Sequence, residues 1–280
     1  MAYANPYALV STDWLVENLG KSDIRIIEVD EDVSLYAPTH IPGAIAWSWS
    51  EDLHHPVRRD YLDKDGFSSL LAAAGVGPDT TVILYGGNNN WFAAYAYWLL
   101  KYRGFDQVKL LDGGRKKWEL EGLPLDDVVP TINPTDFRIQ GSERPEVRAF
   151  RDDVLAVGDT TIIIDVRSPE EFSGQKLAPD HLPQEQPYVG GHVPGANNVP
   201  WSKAANEDGT FRSVAELEEI YGSLGVGSDR EAIAYCRIGE RSSHTWFVLT
   251  ELLGHDNAKN YDGSWTEYGS LVNVPVERGA

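Results

Sequence analysis

The segment His40-Ile41-Pro42-Gly43-Ala44 returns as His192-Val193-Pro194-Gly195-Ala196, at an offset of about 150 residues. Two further segments return in the same order: Gly75-Val76-Gly77-Pro78-Asp79 as Gly225-Val226-Gly227-Ser228-Asp229, and Asp112-Gly113 as Asp262-Gly263. Because the matches keep their order, the chain is predicted to contain two copies of one domain.

Each copy alternates short β-branched runs with helical patterns, which is typical of βαβ units and a parallel sheet. We predict strands at 25–29, 81–85 and 108–111, matched in the second copy by strands at 161–166, 231–235 and 258–261. Helices are predicted at 91–102, stopping at Gly104, and at 243–253, capped by Gly254. The fold class is therefore α/β, as two tandem domains that are each a mainly parallel sheet flanked by helices.

The stretch 123–145 contains four prolines and no sustained apolar period, so it is predicted to be an extended linker. This divides the chain into a first domain at 1–122, the linker at 123–145 and a second domain at 146–280.

Composition excludes several classes of protein. The chain has 280 residues, with 43 acidic and 24 basic side chains and a formal charge of −19, which disfavours binding to nucleic acids or anionic membranes. The sequence shows neither a long apolar run nor the pattern of a signal peptide, so a cytoplasmic location is expected. A single cysteine, Cys236, excludes an intramolecular disulfide and a multi-cysteine zinc site.

Cys236 lies in the turn that follows the predicted strand 231–235, where a parallel sheet collects its ligands. Consecutive backbone N–H groups and a helix N-terminus at such a turn favour negative charge, so we expect a lowered thiol pKa and a nucleophilic thiolate. Arg237 and Arg241 add positive charge for an anionic substrate, although Arg237 could equally solvate a surface turn. Glu240 opposes this charge, and we expect it to point to solvent or to pair with an arginine.

The first copy has Gly86 in place of Cys236, within Tyr85-Gly86-Gly87-Asn88-Asn89-Asn90. Neither glycine nor asparagine can carry a transferable sulfur, so the first domain is predicted to be catalytically silent. We expect the asparagines to satisfy turn geometry.

These residues carry a resemblance to the tandem-domain rhodaneses, in particular to actinobacterial thiosulfate sulfurtransferases of the CysA type. The matching positions are Asp165, Arg167, Glu171, Phe172, the turn Gly191-His192-Val193 with Gly195-Ala196, the loop from Cys236 to Ser242, and Tyr261-Asp262-Gly263. They span nearly the whole chain and place a Gly-His turn before a cysteine-centred turn.

The resemblance implies two tandem rhodanese-like domains, a non-catalytic one followed by a catalytic one. It implies a sulfurtransferase in which Cys236 attacks thiosulfate, releases sulfite and passes the sulfur to cyanide or to a thiol, such as that of a protein like thioredoxin. No metal or organic cofactor is required. Donor binding falls to the loop residues, which are Arg237, Ile238, Gly239, Glu240, Arg241 and Ser242, while Asp165 and Arg167 brace the loop from behind. The silent domain would close over the catalytic turn.

Three other functions stay open. Enzymes that prefer 3-mercaptopyruvate have small residues after the cysteine, where this chain has Arg237. A phosphatase of this fold needs five residues between cysteine and arginine, whereas four separate Cys236 from Arg241. A carrier that receives sulfur from a protein persulfide would need the same loop.

The histidines and Ser242 have structural alternatives. His40 and His192 occupy equivalent turns in both copies, including the silent one, so a structural role is predicted for them. His244 and His181 could approach Cys236, but a capped or solvated histidine is the expectation. Ser242 could bind the sulfur, and a helix N-cap is the preferred prediction for it.

Overall fold

The computed structural model describes residues 2–158, 160–179, 185–227 and 230–279, which form two units. The N-terminal unit consists of Tyr7–Arg144 and Glu207–Phe211, and the C-terminal unit of the remaining residues. Two short segments thus cross the predicted domain boundaries. One is 207–211, and the other precedes Tyr7, where Ala4 N–H donates to the carbonyl of Leu252 at 2.9 Å.

The N-terminal unit is a five-stranded parallel sheet with the order β1-β5-β4-β2-β3. Its strands are β1 (Leu9–Val10), β2 (Ile24–Asp30), β3 (Ile45–Ser48), β4 (Thr81–Tyr85) and β5 (Val108–Leu111). Its helices are α1 (Thr12–Asn18), α2 (Lys64–Ala73), α3 (Trp91–Tyr102) and α4 (Gly114–Leu120).

The C-terminal unit repeats this topology, with the order β6-β10-β9-β7-β8 and every pairing parallel. Its strands are β6 (Arg148–Ala149), β7 (Ile162–Asp165), β8 (Asn197–Asn198), β9 (Ala232–Tyr235) and β10 (Ala258–Tyr261). Its helices are α5 (Arg151–Leu155), α6 (Pro169–Ser173), α7 (Val214–Gly222), α8 (Glu240–Phe247) and α9 (Ser264–Tyr268). The predicted fold class, two parallel-sheet α/β repeats, is confirmed.

The predicted strands agree with the observed ones to within one residue at each end, and the predicted helix 91–102 matches α3. The helix predicted to begin at Ser243 begins instead at Glu240, and a π-helical turn over Val248–Leu252 precedes Gly254. The apolar pattern did not predict the early start, because the first turn of α8 consists of polar residues although it is buried.

The inner strands β4, β7 and β9 are buried on both faces, as parallel strands covered by helices require. In the N-terminal unit one core cluster includes Leu15, Ile83 and Trp118, and in the C-terminal unit a cluster includes Ile233 and Trp265. Of the helices in the described ranges, none is long and apolar enough to cross a membrane.

The predicted linker contains neither helix nor strand up to residue 144, and several of its polar groups form hydrogen bonds with α2. Thr135 N–H donates to the carbonyl of Ala72 at 2.9 Å, and Lys64 Nζ donates to the carbonyl of Gly141 at 2.7 Å. These bonds explain why the segment up to Arg144 clusters with the N-terminal unit.

The turn after β4 has no room for a side chain at Gly86. A Cβ there would lie 2.3 Å from the carbonyl oxygen of Val29. Asn88, Asn89 and Asn90 all have left-handed backbones, with φ of 46°, 52° and 65°. Asn90 fixes the turn, because its Oδ1 accepts the N–H of Gly86 at 3.0 Å while its Nδ2 donates to a β5 carbonyl at 2.7 Å.

We therefore expect Gly86→Ala to lower the free energy of unfolding by about 1–3 kcal/mol, the usual cost of forcing atoms into a packed site. Urea titration monitored by circular dichroism measures the change. Gly222→Ala is the control, because a Cβ at this helical position meets no atom within 4 Å. A Gly86→Ala protein as stable as the control would show that the turn yields easily.

Candidate active site

Cys236 follows directly on β9, which lies between β10 and β7, and α8 begins four residues later. Gly239 turns the chain into α8 with φ of 103°, a conformation that favours glycine. Cys236 is fully buried, and its Sγ accepts the N–H of Gly239 at 3.1 Å. The turn thus presents a backbone donor to the sulfur, as the sequence predicted.

The thiol pKa is nevertheless raised, so the prediction of a lowered pKa is wrong. Burial raises the pKa of Cys236, and the negative charge of Glu240 raises it further. The positive charge of Arg241 and hydrogen bonds from Ser242 act in the opposite direction but do not prevail. The thiol is therefore the resting form of the sulfur in this structure.

Glu240 is buried with 1% of its surface exposed, so the prediction that it points to solvent is wrong. Its Oε2 lies 3.1 Å from Cys236 Sγ and accepts the thiol proton in a hydrogen bond. Its Oε1 lies 3.4 Å from Arg241 Nε, so the alternative prediction, that Glu240 pairs with an arginine, is confirmed.

Arg241 is 3% exposed and forms a bidentate ion pair with Glu171 of α6. Its Nη1 and Nη2 donate to the two carboxylate oxygens at 2.8 and 3.0 Å. Burial alone would raise the pKa of Glu171, but the hydrogen bonds and charge of Arg241 outweigh burial and lower it. Sequence reasoning placed Glu171 in the family pattern but did not pair it with Arg241.

Arg237 is also fully buried, so it does not solvate a surface turn. Burial lowers the pKa of its guanidinium. The backbone of this residue is fixed from α9, because Thr266 N–H donates to its carbonyl at 3.0 Å, and Trp265 N–H donates to the carbonyl of Cys236 at 3.0 Å. Ile238, the next loop residue, is buried as well.

Two serines complete the surroundings of the sulfur. Ser242 Oγ lies 3.6 Å from Sγ and donates to the carbonyl of Gly239 at 3.1 Å. Gly239 is the N-cap of α8, so the predicted N-cap role for Ser242 is wrong, and the alternative prediction of a contact with the sulfur is confirmed.

Sequence reasoning missed the second serine, Ser264. It adopts a left-handed backbone with φ of 53°, a strained conformation for a non-glycine residue. Its Oγ accepts the N–H of Cys236 at 3.0 Å and donates to the carbonyl of Tyr261 at 2.7 Å. The available signal was the repeat itself, because the first copy has Gly114 after its Asp-Gly pair where the second has Ser264.

Asp165 and Arg167 form a fully buried ion pair behind the loop. Arg167 Nη2 donates to Asp165 Oδ2 at 2.5 Å and to the carbonyl of Gly191 at 2.7 Å. Its guanidinium carbon lies 4.7 Å from the ring centre of Trp265, which belongs to α9. The pair therefore ties the end of β7 to the Gly191 turn and to the helix that holds the loop backbone.

His40 and His192 make matching structural contacts in the two units. In each case Nδ1 lies within 2.9 Å of a backbone carbonyl, of Tyr36 or of Phe172, and the ring stacks on the side chain of that residue. His244 is buried in α8 against Trp201, and His181 lies outside the described residues.

A cavity of about 550 Å³ opens beside the ion pair of Glu171 and Arg241. Its lining includes three cations, Lys176, Lys203 and Arg241, and two acids, Glu170 and Glu171. Among the described lining residues the cations outnumber the acids by one, which suits an anionic ligand better than the overall charge of −19 does.

The chain is similar to known proteins over nearly its whole length. The family described as "Rhodanese-like domain" matches residues 11–121 and 148–271. A protein of Saccharopolyspora erythraea named "Putative thiosulfate sulfurtransferase" is 60% identical over 270 residues, which cover 96% of this chain and 95% of that protein. "Sulfur carrier protein TtuD" of Thermus thermophilus is 48% identical over 284 residues, covering 100% and 99%. The crystal structure of YnjE superposes with a TM-score of 0.85 at 25% identity, covering 100% of this chain and 70% of YnjE.

Because His244 is buried, the protein should become less stable as the pH falls. Burial lowers the pKa of His244 from 6.5 to about 3, so the folded protein excludes a proton that the unfolded chain binds below pH 6.5. The stabilisation is complete above pH 6.5 and is lost as the pH falls towards 3. Between pH 7 and pH 5 this residue alone should cost about 2 kcal/mol of unfolding free energy.

Urea titrations of wild type and His244→Gln at both pH values measure this cost. The variant is expected to lose about 2 kcal/mol less than wild type on acidification, because the other titrating groups cancel in the difference. Equal losses in the two proteins would contradict the assignment.

Proposed function

The chain belongs to the rhodanese family, and on that premise we propose that it is a thiosulfate sulfurtransferase that works through a persulfide on Cys236. The observation that carries the proposal is the placement of the only cysteine in a buried loop, where its sulfur accepts a backbone N–H and two guanidiniums lie nearby. The names of the near full-length relatives support the same activity.

In the first half-reaction the Cys236 thiolate attacks the outer sulfur of thiosulfate. A bond forms between the two sulfurs, the bond between the outer sulfur and the sulfonate breaks, and sulfite leaves with the electron pair. The loop supplies N–H groups to the negative charge that then resides on the persulfide, and burial protects this readily oxidised intermediate.

In the second half-reaction an acceptor takes the outer sulfur and Cys236 leaves as a thiolate. Cyanide would become thiocyanate, and a thiol would become a persulfide. A thiol protein of the thioredoxin kind fits this step as a physiological acceptor. Neither half-reaction calls for a metal or an organic cofactor.

The charges of the C-terminal unit fit a small dianion. Lys176 and Lys203 line the cavity, while Arg237 and Arg241 lie buried in the loop. We propose that the sulfonate is bound by Arg241, with Arg237 contributing less, and that Ile238, Gly239, Glu240 and Ser242 shape the space around the transferred sulfur. Arg237, which directly follows the cysteine, favours thiosulfate over 3-mercaptopyruvate as the donor.

A sulfur carrier is the second candidate function, because a relative of that name is 48% identical over the full length. A carrier would receive sulfur from a protein persulfide and would not split thiosulfate. Release of sulfite from thiosulfate by the purified protein, with cyanide as acceptor, separates the two functions.

Cys236→Ser tests the persulfide. The variant should fold, because serine nearly preserves the shape of cysteine, but it should release no sulfite above background. Mass spectrometry of wild type after thiosulfate treatment should show one added sulfur atom on the peptide that contains Cys236. Sulfite release by the serine variant, or a wild type that gains no sulfur, would reject the mechanism.

Arg241 is tested with its partner, because Arg241→Ala alone would leave Glu171 buried and unpaired, and so could unfold the protein. The double variant Glu171→Gln with Arg241→Met removes both charges of the pair, and Glu240, which also contacts Arg241, keeps Arg237 nearby as a cation. We expect kcat/KM for thiosulfate to fall about tenfold or more, the scale of a charged hydrogen bond worth about 1.5–3 kcal/mol.

Glu171→Gln alone and Arg237→Met are compared at the same ionic strength, with the melting temperature as the folding control. A folded double variant with wild-type kcat/KM would remove Arg241 from the binding site. A larger loss in Arg237→Met would assign the main role to Arg237.

A further inference from the structure

Glu240 is a buried acid, and the proposed function gives it no chemical role beyond shaping the space around the transferred sulfur. Its Oε2 lies 3.1 Å from Cys236 Sγ, which is the reacting atom, and its Oε1 lies 3.4 Å from Arg241 Nε. The carboxylate of Glu240 would repel the thiosulfate dianion that Cys236 attacks. It opposes the reaction unless it becomes neutral.

Comparison with the N-terminal unit indicates that the contact between Glu240 and the thiol depends on a second difference between the two units. The strand registers make Tyr85 equivalent to Tyr235, so Asn90 occupies the position of Glu240. Asn90 uses its side chain to accept the N–H of Gly86.

In the C-terminal unit the equivalent N–H, that of Cys236, is accepted by Ser264 instead. Gly114 occupies the position of Ser264 in the N-terminal unit. A side chain does not fit there, because a Cβ at Gly114 would lie 2.1 Å from Asn90 Oδ1. Ser264 therefore takes over the structural bond, and the side chain at position 240 is left to contact the thiol.

Among the described residues, the charges on the loop and on its ion-pair partners balance. Arg237 and Arg241 come from the loop and α8, and Glu171 of α6 pairs with Arg241. His244 lies one turn further along α8 and is neutral at physiological pH, because burial lowers its pKa to about 3.

With Cys236 as a thiol, the carboxylates of Glu171 and Glu240 balance the two guanidiniums. Loss of the thiol proton to solvent would leave this buried group with a net negative charge before the donor arrives. Transfer of the same proton to Glu240 would leave the charge unchanged.

We propose that Glu240 is the catalytic base that takes the proton of the Cys236 thiol and keeps it within the site during sulfur transfer. This inference rests on the proposed function. The S–H bond breaks, an O–H bond forms on Oε2, and the thiolate forms the sulfur–sulfur bond as sulfite leaves. The protonated acid then faces the persulfide, and it returns the proton to Cys236 when the acceptor removes the outer sulfur.

The proposal is tested by counting protons in a single turnover at pH 6 without acceptor, with a pH indicator in weak buffer. Formation of the persulfide in wild type should release no proton from the protein. In Glu240→Gln the thiol proton has to leave for solvent, so about one proton more per active site should appear. The uptake of protons by the sulfite product is the same for both proteins and cancels.

The pH profile gives a second readout, because a group in contact with the sulfur should change the titration of the reaction and not merely its rate. The acid limb of kcat/KM should move to higher pH in Glu240→Gln, with a loss of about tenfold or more at pH 6. Glu219→Gln, on the exposed face of α7, is the matched control and should behave as wild type.

The possible results separate this inference from the proposed function. A wild type that gains no sulfur would reject the function. A wild type that gains sulfur but releases a thiol proton would reject only the role of Glu240, and this measurement does not depend on whether the variant folds. Identical proton counts and pH profiles in folded Glu240→Gln and wild type would also reject it.

Discussion

The sharing of Arg241 between Glu171 and Glu240 is the interaction on which the loop of Cys236 depends. A guanidinium buried without a partner costs several kcal/mol or more, so Arg241 can enter the protein only where carboxylates meet it. Its two bonds to Glu171 tie α6 to the first turn of α8. Since Glu240 is the first residue of that turn, the same arrangement holds its carboxylate between the guanidinium and the sulfur.

A comparable brace stands behind the equivalent turn of each unit, but different residues build it. In the C-terminal unit Arg167 joins Asp165 to the carbonyl of Gly191. In the N-terminal unit Arg115, from α4, joins Glu28 to the carbonyl of Thr39, with Nη2 donating at 2.8 and 2.6 Å. The requirement is thus for a guanidinium that links a buried strand carboxylate to the following turn, and not for an arginine at one position.

The repeat, the sheet and the position of Cys236 could be predicted from the sequence. Buried strands appear there as short β-branched runs, and the turns that follow them are marked by glycines. The sequence did not predict the environment of the thiol. Glu171 and Arg241 are 70 residues apart, so nothing local indicates that they pair or that Glu240 is drawn inward with them. The early start of α8 was missed for the same reason, since its polar first turn looks solvent-exposed until the partners of those residues are known.

The differences between the two units occur in coupled pairs, because each change frees or fills a space that a neighbour occupies. The position of Arg115 in the N-terminal unit is held by Trp265 in the C-terminal unit, and the position of Asp30 by Arg167, whose guanidinium stacks on Trp265. Asn90 and Gly114 are likewise exchanged for Glu240 and Ser264. A cysteine alone therefore could not reproduce the Cys236 loop in the N-terminal unit, because Gly86 has no space for a Cβ. An acid at position 90 would also need a serine at position 114, where Asn90 leaves no room for a side chain.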